Sequence, residues 1–298
     1  MATLFNDKLF ATAAFQQVID ALAPLNAFST DLSSIAGKPG ESITVPLFGS
    51  ATATTFTQAT DVMEQTGGAI TAVTVTLNAR KIVPVDITSQ QLADSANAGN
   101  YDAFAYQMGA ALTTMIFQDI FSMFTVSNYG VPTTTASANF KLDAITAVRV
   151  ALNAKKAPRM GRSLILDDSC ESGLFSDTNL VLAQNRASGG TINEGDLGRV
   201  LGFDIYTPTA FPLNSISLIG IGIGKGAAAV AFRSLQGVLP GEEYAAAEVL
   251  TDPETGISAL YTRHWSRAQA KWFLNLQALY GYSKALTLQG HMICTATT

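Results

Sequence analysis

The chain has 298 residues, enough for one large domain or two closely joined ones, and 48% are hydrophobic, which excludes general disorder. Only 14% are charged, against roughly 25% in an average soluble protein, and the mean hydropathy is +0.24. So few charges protect a surface poorly against self-association, and a net charge of −5 leaves no cationic surplus to attract nucleic acid or anionic membrane.

In chain order, residues 4 to 28 place Leu9, Ala13, Phe15, Val18, Ile19 and Leu22 at helical spacing, and Pro24 is expected to end that helix. We read residues 1–37 as an N-terminal arm packed on the body or on a neighbour. Lys38 to Ile87 has β character, opened by Pro39-Gly40 and interrupted by Gly67-Gly68. Val73, Val75 and Leu77, then Val83, Val85 and Ile87, alternate with polar residues, so one face is covered and one is wet. The Thr- and Ala-rich tip of this segment has almost no large apolar residue, so it needs another surface to lie on. Thr88 reads as the N-cap of a short helix. From Tyr101, apolar residues at Phe104, Met108, Leu112, Met115, Ile116, Ile120, Met123 and Phe124 predict an amphipathic helix of about 25 residues, roughly 37 Å long.

Leu142 to Ala154 predicts a further helix, Arg162 to Leu166 a strand, and Asp168 the start of another helix. A Gly/Asn-rich loop (187–195) leads to a strand pair in GRVLGFDIYTPTAF. Residues 216–233 read as a strand running into small residues. Near the C-terminus, Trp272, Leu274, Leu276, Ala278, Tyr280 and Tyr282 alternate as a strand does. The class is α+β.

Candidate chemistry is sparse. His264 and His291 sit in no metal-ligand spacing, and Cys170 and Cys294 form no CxxC, so neither a metal nor a disulfide is expected. A hydrolase elbow fails at Gly161-Arg-Ser163, which lacks its second glycine. Gly220-Ile-Gly222-Ile-Gly224-Lys225-Gly226 resembles a phosphate loop, but Ile219 stands at its first glycine and Gly226 at its Ser/Thr; a glycine-rich strand or turn is the better reading. Asp167-Asp168 and Glu242-Glu243 are sequence neighbours whose side chains diverge, so they read as caps or solvated residues. No catalytic or cofactor-binding residue is expected. The N-terminal MATLFNDKLF has neither the basic nor the apolar region of a secretory signal, and the apolar stretch 216–232 is too short and too broken to span a bilayer, so a soluble protein made inside the cell is expected.

Three segments carry a family resemblance: LDAITAVRVALNAKKAPRMGRSLILDDS, INEGDLGRVLGFDIYTPTAFP, and GKGAAAVAFR followed by TDPETGISALYTRHWSRAQAKWFLNLQALYGY. In this order, behind an arm, a long β-loop and a long helix, they resemble the major capsid proteins of tailed bacteriophages over roughly residues 30 to 293. The resemblance implies an N-terminal arm (1–37), an extended β-loop (38–87), a peripheral domain with a spine helix (88–139 and 239–298) and an axial domain (140–238). It implies pentamers and hexamers of the chain closing into an icosahedral virion head around double-stranded DNA, with no specific DNA binding. Assembly in the host cytoplasm with a portal, a scaffolding protein and possible decoration is part of the same expectation. We expect the scaffold to be a separate protein, because the chain reaches the extended loop within about forty residues. Phe48, Phe56, Thr57, Gln58 and Arg80 are the expected intersubunit contacts. No lysine lies between Glu41 and Arg80, so the covalent cross-link that some relatives form from this loop is not expected. An encapsulin-type compartment shell, which shares the fold, is the alternative, and a soluble enzyme is the reading from another class.

Overall fold

The computed structural model describes residues 6–48, 70–93, 101–178, 199–208, 217–235, 244–252 and 255–295. Six α-helices occur among them: α1 (Asp7–Ala21), α2 (Ser89–Ala93), α3 (Tyr101–Ser122), α4 (Val126–Tyr129), α5 (Leu142–Ala154) and α6 (Asp168–Phe175). The strands begin with β1 (Ser29–Ala36), β2 (Ser42–Phe48), β3 (Ile70–Thr76), β4 (Ala79–Ile87) and β5 (Thr133–Thr134). They continue with β6 (Arg162–Leu166), β7 (Arg199–Val200), β8 (Phe203–Tyr206), β9 (Leu218–Gly224) and β10 (Ala228–Ser234). The last four are β11 (Ala246–Thr251), β12 (Ser258–Ser266), β13 (Lys271–Lys284) and β14 (Gly290–Cys294).

Two six-stranded sheets organise the chain. The first runs β1-β10-β13-β12-β11, with β4 also on β13, and the second runs β5-β14-β9-β6-β8-β7. A separate two-stranded sheet joins β2 to β3. Most pairs are antiparallel, while β1 lies parallel to β10, β8 to β6 and β5 to β14. The α+β expectation holds.

The first sheet is covered on both faces. Leu274, Leu276, Ala278 and Tyr280 of β13 join one apolar core with Phe10, Phe15 and Val18 of α1 and Met108, Leu112, Ile116 and Phe117 of α3. Leu279 faces the other way and joins Val45, Leu47, Val75 and Leu77 of the β2–β3 region with Ala229, Ala231 and Leu260. The alternation read in the sequence is there, but it does not mean one wet face. Asn275 and Gln277, on the polar positions of β13, are also buried. Part of the surface that the β2–β3 segment needs is therefore its own chain's sheet.

The N-terminal helix is tied to the body. Asn6 caps it by accepting from the Lys8 and Leu9 amides at 3.1 and 3.3 Å. Asp7 accepts from the Tyr261 hydroxyl at 3.0 Å and pairs with Arg263 at 3.2 Å. The buried stripe is Phe10, Ala11, Ala14, Phe15 and Val18; it keeps the expected Phe15 and Val18, with Ala13 and Ile19 at its margin, but Leu9 is exposed. The helix stops at Ala21, and Pro24 sits near the start of a 3₁₀ turn over Ala23–Ala27, consistent with its missing donor. Gly109 of α3 allows the close helix approach: a Cβ there would stand 2.5 Å from the Ala14 carbonyl oxygen.

Helix α3 has 22 residues, so it is about 33 Å long. It ends sooner than the spacing predicts because Met123 and Phe124 bond to Ile120 and Phe121, tightening the last turn. Asp119 fastens it to the sheet, accepting from the Tyr280 hydroxyl at 2.7 Å and pairing with Lys81 at 2.9 Å. Burial and this carboxylate raise the Tyr280 phenol well above its ordinary range. Replacing Asp119 by Ala leaves a buried hydroxyl and a half-buried ammonium unmatched. We expect a loss of about 2–3 kcal/mol, read as a lower urea midpoint at unchanged slope; an unmoved midpoint would remove this link from the account.

The second sheet has α5 and α6 against it, with a core of Phe140, Ile145, Val148, Leu152, Leu164, Leu166, Leu174 and Phe203. Strand β9 is buried along its whole length, and its glycines make room: a Cβ on Gly222 would meet Val148 of α5 at 2.4 Å. The glycine-rich segment is thus a core strand, followed by a turn into β10.

Candidate functional site

The residues with the greatest chemical potential are locked into the fold. His264 stacks on Phe273 with ring centroids 5.5 Å apart and meets Tyr244 edge-on. His291 is buried in β14, its Nε2 2.8 Å from the Thr133 hydroxyl. Burial, aided by the Lys155 charge, pushes its imidazole down to about 4, so it is neutral near pH 7. Burial raises both thiols, Cys170 to about 12, which leaves them without thiolate character. Arg162 is buried and donates to the carbonyls of Pro158 and Ala157 at 2.7 and 2.8 Å and to Asn153 Oδ1 at 3.0 Å. Asp167 caps α6 by accepting from the Ser169 amide at 2.9 Å. Glu242 and Glu243 lie outside the described residues. Among the described residues no group of three His, Cys, Asp or Glu is placed to hold a metal ion, and no helix is long and apolar enough to cross a membrane.

The features that remain are surfaces. Strand β4 pairs with β13 along Ala79–Ile87, and among the described residues no strand pairs with its other edge. Its exposed side carries Arg80, Ile82, Pro84 and Asp86. Pro84 removes a donor from this edge, a known guard against indiscriminate strand addition. Arg80 donates from Nε and Nη2 to Gln277 Oε1 at 3.1 and 2.6 Å, so its head group is held on its own sheet. Phe48 closes β2 opposite Ile70. Phe56, Thr57 and Gln58 lie outside the described residues, so of the five expected contacts the structure places only Phe48, at the far end of β2, and Arg80, in β4 beside β13. The outer side of α3 bears Phe104, Gln107, Ala111, Met115 and Gln118, an uncharged stripe, and a cavity of about 260 Å³ lies between its first turn and the end of β4. The exposure of Phe104 was not legible from spacing, which counted it with the buried stripe.

A scan of protein-family models finds no match to the chain, and a search of curated protein sequences finds none either. Solved structures do match over nearly the whole length. The capsid structure of the cyanophage P-SCSP1u is similar with a TM-score of 0.55 at 14% identity, covering 91% of this chain and 87% of that one. A virus-like particle from Pyrococcus furiosus is similar with a TM-score of 0.54 at 12% identity, covering 96% and 98%. A protein of Mycobacterium phage Che8 is similar with a TM-score of 0.52 at 13% identity, covering 87% and 86%. The chain therefore has an α+β shell-protein fold. More particularly, that fold is the one of tailed-phage major capsid proteins, as the order of its segments led us to expect.

Proposed function

We propose that this chain is the coat protein of a tailed bacteriophage. It assembles as pentamers and hexamers into the icosahedral head that encloses the double-stranded DNA, and it catalyses no reaction. The observation that carries this reading is the match to the cyanophage capsid over 91% of this chain and 87% of that one, which leaves little of either fold unaccounted for. The sparse surface charge and the uncharged stripe on α3 support burial against other subunits. Residues 1–37 act as the arm, 38–87 as the extended loop, 88–139 and 239–298 as the peripheral domain and 140–238 as the axial domain. Phe48, Phe56, Thr57, Gln58 and Arg80 lie at or near the contact with a neighbour. A scaffolding protein, a portal and a decoration protein are the expected partners, with assembly in the host cytoplasm. DNA is held without specific contacts, in keeping with a net charge of −5.

The likeness to the Pyrococcus virus-like particle favours a second reading, a compartment shell that encloses protein cargo. Negative-stain electron microscopy of the purified chain, with light scattering for mass, tests the shared premise. We expect closed shells, or rings of five and six. Mass spectrometry of the enclosed material separates the two readings. A monomer or small dimer that persists at high concentration and with added scaffold would overturn both.

A further inference from the structure

Charge is spread unevenly over the second sheet and its helices. Between Ala144 and Leu166 the sequence holds Arg149, Lys155, Lys156, Arg159 and Arg162 and no Asp or Glu, in a chain whose net charge is −5. These cations gather where α5 passes into β6. Arg162 is inside and bonds only to carbonyl and amide oxygens, while half-buried Lys155 donates from Nζ to the carbonyls of Tyr129 and Gly290 at 2.9 and 2.7 Å. Their charges are solvated by neutral groups, and among the described residues no carboxylate pairs with either. Lys156 and Arg159 are exposed and Arg149 is half-buried. Gly224 pairs with Arg162, so exposed Lys225, in the turn that follows, adds to the same end.

Strand β6 is five residues long, about 16 Å, and its far end is acidic. Asp167, Asp168 and Glu171 follow it directly. Asp143 in the first turn of α5 lies at this end too, beside Asp177, which accepts from the Leu142 amide at 2.9 Å. Lys141 is the exception among them. Helix dipoles account for acids at the starts of α5 and α6. The dipole of α5 likewise favours Lys156 just past its C-terminus, but it does not reach exposed Arg159, which no carboxylate meets among the described residues. Among the described residues Arg149, Lys156, Arg159, Asp168 and Glu171 take part in no ion pair.

We propose that these two ends recognise each other between copies: the basic end of α5–β6 in one subunit seats on the acidic end at the start of α6 in the next. This inference rests on the shell reading, since a head-to-tail contact of this kind closes into a ring when the rotation per copy allows it. The alternative occupant of a basic surface is a nucleic acid. Two observations favour a second copy. The same unit leaves Asp168 and Glu171 equally without an ion pair among the described residues. The cations are also interleaved with exposed Val150 and Met160, 61% and 88% accessible, and no aromatic residue lies between Ala144 and Leu166 on which a base would stack.

The test is charge reversal in the full chain. Lys156→Glu with Arg159→Glu should raise the concentration needed for assembly about tenfold or more, while thermal unfolding of the subunit stays where it was. Asp168→Lys with Glu171→Lys should do the same. Mixing the two variants, or joining all four changes in one chain, should restore assembly. Wild-type assembly should weaken as salt rises, because exposed pairs are screened over about 8–10 Å. Assembly at the wild-type concentration in every reversed variant, or reversals that never rescue each other, would overturn the pairing and leave the shell reading intact. Salt-sensitive wild-type oligomers that are neither rings nor shells would count against the shell reading alone. Loss of binding to a fluorescent single-stranded DNA in the Lys156→Glu, Arg159→Glu variant, with assembly untouched, would assign the basic end to nucleic acid instead.

Discussion

Gly281→Val is expected to lift the β2–β3 sheet from the body and to cost about 3–5 kcal/mol. Gly281 lies in β13 opposite Ala231, and a Cβ there would stand 2.3 Å from the Thr76 carbonyl oxygen, 2.8 Å from the Thr76 carbonyl carbon and 3.0 Å from Val75 Cγ1. Two of these atoms are backbone, so no rotamer change relieves the clash. Either β3 moves away or β13 bends, and β13 is pinned by β10, β12 and β4. When β3 moves, Val45, Leu47, Val75 and Leu77 lose their cover, and each buried aliphatic side chain contributes about 1.5–3 kcal/mol. Gly40 provides the contrast. Its φ is 88°, but a Cβ would meet nothing within 4 Å, so Gly40→Ala costs backbone strain alone, about 1 kcal/mol. Urea unfolding with limited proteolysis between β2 and β3 reads both variants. Equal midpoints for Gly281→Val and wild type would show that this seat contributes nothing.

The second large effect is in acid. In the folded chain His291 takes up a proton only near pH 4, because burial and the Lys155 charge disfavour the imidazolium. In the unfolded chain it does so near 6.5. As pH falls from 6.5 towards 4 the unfolded state gains a proton that the folded state refuses, so stability drops by about 1.4 kcal/mol per pH unit, roughly 3 kcal/mol in all. Below pH 4 this contribution is fully spent. The geometry agrees: Nδ1 is buried without a hydrogen-bond partner among the described residues, while Nε2 meets Thr133 beside the short β5–β14 pairing. His291→Gln should flatten this part of the pH profile while keeping the contact to Thr133. The measurement is unfolding free energy from urea titrations between pH 4 and 7.5. Identical slopes for wild type and His291→Gln would exclude His291 as the group responsible.

How much of this was legible in the sequence depends on how local the signal was. Helix α5 and strand β6 were read to the residue, because a 3.6 period and then the β-forming Leu164-Ile165-Leu166 between a turn and a helix start mark both elements locally. The stripe of α1 was legible at Phe15, Val18 and Leu22, but Leu9 was placed on it where Phe10 belongs. Leu9 is as apolar as Phe10, and only the direction of α3, not the spacing, decides which of them is covered. Strand β1 was read as arm because Ser29-Thr30-Asp31-Leu32-Ser33-Ser34 has no alternation; it is made a strand by β10, whose parallel edge it completes. The second covered face of β13 was likewise invisible, since Asn275 and Gln277 read as wet until Arg80 and the β2–β3 sheet are placed over them. The two charged ends of β6 were present as a stretch without carboxylates followed by Asp167-Asp168. Their opposition needed the strand between them to be straight.

The long separation of paired strands also bears on how the chain is made. Arg80 and Gln277 are 197 residues apart, and Asp7 and Tyr261 are 254 apart. At roughly 5–20 residues per second, a ribosome that has finished β4 spends about 10–40 s before β13 exists for it to pair with. Throughout that interval α1, α3 and β4 have no sheet to cover their apolar sides. The second sheet waits as well, because β14, between β5 and β9, follows every other described strand. Until β13 and β14 are made, the nascent chain is therefore expected to need chaperones, and a chain stopped before β13 is expected to close neither sheet.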